Sequence, residues 1–275
     1  MRTVTSFASV LAAAVLAMSV NAGTAAAAEV KAKPRKGMEL PAELQTGTSE
    51  ARVTHRKLFV WPDKPIAEML QYDPYRVVDF RRGWSKGASN AAMVFGRGWT
   101  FQWAADAHTY DYSFDVVTAG EGRWTCSCAA ASTSRGTFFE GQHMGVGIPG
   151  HGQARLACVL QPPDDAAEWR LEMGVDLKPA LLPVKTAVGW ARHAGSEIEL
   201  AGTERQAKWG RAPGRLVGVV MSLARQPVAA VDLVPNPGVV FGAALPPGLR
   251  DPVAVVGAAL LLFPDELDPF PTGPR

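Results

Sequence analysis

Cysteine is scarce: the 275 residues hold only Cys126, Cys128 and Cys158. Three cysteines allow one disulfide and one leftover thiol, which excludes a disulfide-built scaffold and leaves a hydrophobic core to hold the fold. An excess of one charge is missing too. The formal net charge is +2, and the basic residues are scattered, which argues against the clustered Lys/Arg face of a nucleic-acid binder. The one short basic cluster, Lys31, Lys33, Arg35 and Lys36, reads as a solvated tail. The chain has no G-x-S-x-G elbow and no H-E-x-x-H pair. Nothing in it implies a cofactor. No internal repeat divides it, and no apolar run after residue 28 reaches the roughly 20 residues that a membrane-spanning helix needs.

What is present begins at the start of the chain. Met1 and Arg2 precede an apolar run from Val10 to Val20, and small residues follow up to Ala28, just before Glu29. This is the three-part layout of a secretory signal peptide. The expectation is a cleavable leader over residues 1–28, cut after Ala22 or Ala28, and a periplasmic or secreted protein. No cysteine lies near the cut to carry a lipid anchor. Residues 29–75 hold Pro34, Pro41, Pro62, Pro65 and Pro74 with little periodicity. They read as an arm of low regularity, with a short helix over 65–72 capped by Asp63.

From Arg76 onward apolar residues recur at every second position, the signal of half-buried strands. Tyr110, Tyr112, Phe114 and Val116 share one face. Trp124, Cys126 and Cys128 share another, across a TAGEG connector. Trp169, Leu171, Met173, Val175 and Leu177 alternate cleanly. Val188 and Trp190 pair with Ile198 and Leu200 across HAGS, and further strands lie over 215–223, 228–233 and 239–244. The fold class is mostly β: an antiparallel barrel or sandwich of about 10–12 strands, formed by a single domain over 76–275. Asp251 to Phe263 is apolar on every side. With Asp251 as cap and Pro252 at the first helical position it predicts a buried helix inside or across the β-structure.

The order VAAVDLV, GVVFGAA, short linker, DPVAVVGAALLLF resembles the end of the tubby C-terminal-like fold shared by tubby, LURP-one-related and scramblase proteins. The resemblance covers about the last fifty residues and rests on element order and hydropathy. It implies an antiparallel barrel closed around a hydrophobic C-terminal helix, and an association with membrane lipids. It carries over no individual site residues.

The CxC of Cys126 and Cys128 is the most chemical-looking feature. One reading joins Cys158 to Cys126 or Cys128 in a disulfide and buries the third thiol. The other makes Cys126, Cys128 and Cys158 a soft-metal site aided by His143 or His151. Gly145, Gly147 and Gly150 show G-x-G-x-x-G spacing, but Pro149 opposes the helix that a phosphate site needs, so a mobile surface loop is expected there, with His143 and His151 as candidate binding residues on it. His108, in a turn beside Asp106 and Asp111, is the one base-and-carboxylate arrangement a hydrolase could use. Of the eight tryptophans, Trp124, Trp169 and Trp190 read as core. Trp84 and Trp209 stand among Arg, Lys and Gly and are the candidates for a surface contact. The expectation is an exported, non-enzymatic binding module for a lipid or other apolar envelope ligand, with metal handling and hydrolysis as alternatives.

Overall fold

The computed structural model describes residues 37–56, 64–84, 86–96, 99–141, 145–164, 167–178, 184–234 and 236–263. For 89–96, 99–106, 134, 136–141, 145–150 and 184 the backbone alone is described. The predicted leader and basic cluster lie outside the described residues.

In chain order the strands are β1 (Ser49–Arg56), β2 (Ile66–Tyr72), β3 (Tyr75–Arg82), β4 (Lys86–Gly96), β5 (Trp99–Val117), β6 (Arg123–Gly141), β7 (Gly145–Gln161) and β8 (Trp169–Lys178). They continue with β9 (Val184–His193), β10 (Ser196–Thr203), β11 (Arg205–Gln206), β12 (Gly210–Arg211), β13 (Gly218–Leu223), β14 (Gln226–Asp232) and β15 (Gly238–Phe241), and end in helix α1 (Arg250–Leu262). Twelve of them close an antiparallel barrel in the order β3-β2-β1-β15-β14-β13-β10-β9-β8-β7-β6-β5, with β5 returning to β3. Nearly every neighbour in space is a neighbour in sequence, so short turns suffice. One is Ala194–Gly195, where both residues have positive φ, the backbone that a two-residue hairpin of this hand needs.

α1 runs through the barrel. Pro252 to Leu261 are all buried, as an all-round apolar helix must be. It enters where the Tyr75 hydroxyl donates to Asp251 at 3.1 Å and the Tyr72 hydroxyl donates to the Ala254 carbonyl at 2.9 Å. Burial and the Asp251 charge push the Tyr75 hydroxyl up to about 12. At the far end Phe263 sits 6.1 Å from Tyr110 and 6.5 Å from Tyr112. The wall is close enough that a Cβ on Gly257 would come within 2.6 Å of Val239. Leu249, with no side-chain hydrogen bond, occupies the cap position instead of Asp251, which stands inside the first turn.

Several expectations need correction. The supposed arm over 29–75 contributes two staves and the start of a third. The predicted helix over 65–72 is strand β2. A register shift between Glu68 and Leu70 breaks strict alternation, so the buried residues are Ile66, Met69, Leu70 and Tyr72, a spacing that imitates a helix face. Nor is Met38 to Leu44 loose. Met38, Leu40 and Leu44 pack with Val217, Ala230 and Val240 on the outside of β13–β15, burying that part of the wall on both faces. Buried Asp232 fastens this segment by accepting from the Met38 N–H at 3.3 Å and from Arg52 at 3.2 Å. Burial raises its pKa, with Arg52 opposing. The Gly145–Gly152 stretch is no loop; it belongs to β7. His108 lies within β5 and is exposed. Trp190 is only half-buried, and Val188 is 66% exposed. On β9 it is Ala187 and Ala191 that face inward.

Candidate functional site

Strand direction sorts the surface into two ends. α1 enters at the lower end, beside the turns at Asp73–Pro74, Ala194–Gly195 and Ala224–Arg225. It finishes at the upper end. Both surface tryptophans singled out in the sequence belong to the upper end: Trp84 follows the top of β3, and Trp209 sits in the β11–β12 hairpin that continues from the top of β10. Their exposures, 67% and 75%, are unusual for side chains of this size.

The Trp209 hairpin is firmly held. Buried Glu204 accepts from the Lys185 N–H at 2.6 Å, the Gly214 N–H at 2.9 Å and Arg211 Nε at 2.9 Å. One carboxylate thus ties together both sides of the 204–214 loop. The free flank of the hairpin pairs with the N-terminal segment, through Glu39 N–H to the Arg205 carbonyl and Ala207 N–H to the Gly37 carbonyl, both at 2.9 Å. The result presents Trp209 with Lys208 Nζ 4.6 Å from its ring centroid and with Arg205, Arg211 and Arg215 in the same fourteen-residue connection between β10 and β13. Arg205 is paired with Glu39 at 3.5 Å and Arg211 with Glu204 at 2.9 Å, so Lys208 is the cation set beside the exposed indole, a pair that suits an interface apolar on one side and anionic on the other. Glu204 is the residue that sequence reasoning missed, since a lone acid among arginines looks solvated. A Glu204→Ala variant, which removes the acceptor of two backbone N–H groups, is expected to lose about 3 kcal/mol. It should also admit trypsin at Arg205–Arg215 under conditions where the wild type is intact, as read by limited proteolysis.

The other sequence candidates do not assemble into a centre. Cys128 and Cys158, register partners on β6 and β7, form the disulfide. Cys126 is a buried free thiol whose pKa is pushed up by burial and by the Asp115 charge. Two of the three sulfurs are therefore spent, and no group of three potential metal ligands occurs among the described residues. His143 lies outside the described residues. His151 is exposed on β7. An open depression of about 410 Å³ at the lower end is lined by Glu168, Arg170, Arg192, His193 and Glu197. Its charges are matched, Arg170 with Glu168 and Arg192 with Glu197, each at 2.6 Å, and His193 stacks on Trp169.

Together these features define a helix-filled antiparallel β-barrel with an aromatic and basic upper end. The chain matches no family model, no curated protein and no solved structure.

Proposed function

We propose that the protein is a lipid-binding module of the cell envelope that docks on an anionic membrane surface through its upper end. The observation that carries this reading is Trp209, three-quarters exposed on a hairpin fastened by Glu204 and bearing Lys208. Because α1 occupies the barrel interior, the binding surface must be external. No described helix is long and apolar enough to cross a membrane. The likeness in element order to tubby C-terminal-like proteins supports a membrane lipid as the ligand. The leader-like start of the chain and the disulfide support an oxidising compartment outside the cytoplasm.

The test is co-sedimentation with phosphatidylglycerol and phosphatidylcholine vesicles. Anionic vesicles are expected to capture the protein at low salt. The Lys208→Ala/Trp209→Ala variant is expected to bind roughly tenfold more weakly, each basic residue near such a surface being worth about 1 kcal/mol. Equal capture by both lipids, or by neither, would refute the proposal.

A further inference from the structure

The barrel explains only half of β5, β6 and β7. Pairing of β3 with β5 ends at Arg82–Tyr112, and pairing of β7 with β8 begins at Gly152–Leu177. Beyond those points β5 continues down to Trp99, β6 up to Gly141 and β7 down to Gly145, with β4 laid against β5 along its whole length. A four-stranded sheet therefore projects from the upper end, the end that bears Trp84 and Trp209.

Its composition changes along its length. The outer rungs comprise 92–96, 99–103, 137–141 and 145–149, which read AMVFG, WTFQW, TFFEG and GVGIP. Glu140 is the one charged residue in these twenty positions. Register places Trp99, Phe101 and Trp103 on one face together with their partners Val94 and Phe139. The same face takes in Val146, the partner of Phe139. Two residues nearer the barrel, the Asn90–Ala105–Arg135 rung begins the polar part of that face, and Asp106 and His108 follow on the other. Five residues of strand extend about 16 Å, close to half of a bilayer core about 30 Å thick. The apolar section thus matches one leaflet, and the polar rung falls at headgroup depth.

The edges add a constraint. Among the described strands β4 has no neighbour on its outer side, and neither does β7 before Gly152. Unpaired backbone groups are not tolerated in hydrocarbon. β4 runs away from the barrel and β7 runs back toward it, so β4 of one copy and β7 of a second are antiparallel when both barrels sit on the same side of the membrane. We propose that the outer rungs of β4–β7 insert into one leaflet of a bilayer, and that copies close their edges there by pairing β4 of each with β7 of the next. The inference rests on the lipid-binding reading, which brings the extension to the membrane.

Phosphatidylglycerol vesicles carrying the full chain are washed with about 1 M salt, where the screening length is about 3 Å, and cross-linked with an amine-reactive reagent. Wild type is expected to stay bound and to give dimers and larger species on vesicles but not in solution. A Phe101→Ser/Phe139→Ser variant is expected to bind at low salt through the Trp209 hairpin, to keep the wild-type melting temperature because its changes lie outside the barrel wall, and to be retained at least tenfold less after the wash. Equal retention of variant and wild type would overturn insertion. Salt-resistant wild type that cross-links only as monomer would overturn the pairing of copies. Wild type that never binds at low salt would refute the lipid reading itself, and the inference with it.

Discussion

A Val256→Asp variant is expected to give no folded protein. Val256 has no exposed surface at the middle of a helix that is itself enclosed by the barrel. A carboxylate there loses its water. The effective penalty for burying an unpaired ion is several kcal/mol even after relaxation, against a total stability of about 5–15 kcal/mol for an ordinary domain. Protonating the group trades the charge for an unsatisfied hydroxyl in the same place. The loss should be global, because α1 is the common core for staves from every part of the chain. Soluble yield and near-ultraviolet circular dichroism are the readouts. Leu262→Asp, at a half-buried position in the last turn, is the control and should fold. A Val256→Asp protein with a wild-type melting temperature would show that the helix is not the core.

Removal of the disulfide should have the next largest effect. Cys128 and Cys158 are 30 residues apart in sequence, and closing a loop of that length in the unfolded chain is worth about 3–4 kcal/mol in the chain-entropy account. A Cys128→Ala/Cys158→Ala variant should therefore melt about 10 °C below the oxidised wild type, taking about 3 °C per kcal/mol for a domain of this size. Cys126 is not expected to replace either partner. Its register partner on β7 is Leu160, and its raised pKa keeps the thiol protonated and unreactive. Thiol labelling should thus find no reactive group in the native protein, one after unfolding and three after unfolding with reductant. Three labels without reductant would disprove the disulfide and restore the soft-metal reading of the three cysteines.

The strongest alternation was legible because one face of each stave meets α1 while the other meets water. Tyr110–Val116, Trp124–Cys128 and Trp169–Leu177 all show it. Where a second layer covers the outside, or where a bulge shifts parity, the pattern fails. β14 is buried from Val228 to Asp232 on both faces because Met38, Leu40 and Leu44 lie over its outer side. The shift within β2 gave that strand the spacing of a helix. Trp190 misled for the opposite reason: it is a large aromatic on the outer face, packed under the Arg192 guanidinium 4.1 Å from its ring, while alanines line the inside.

The candidate site divides in the same way. Trp84 and Trp209 could be picked out by their charged and glycine-rich neighbours, since such surroundings leave an indole no core to enter. Glu204 could not, because the N–H groups that donate to its carboxylate belong to Lys185 and Gly214, remote in sequence or across a turn.

By itself the sequence determined the class of the fold, the burial of the 251–263 helix and the presence of a single disulfide-competent set, because each follows from local periodicity, composition or count. Only the tertiary structure decided that twelve strands close a ring, that Cys128 rather than Cys126 bonds to Cys158, and that Trp84, Trp209 and the projecting sheet share one end. Those depend on strand register and direction summed around the barrel, and no local window of the chain contains either.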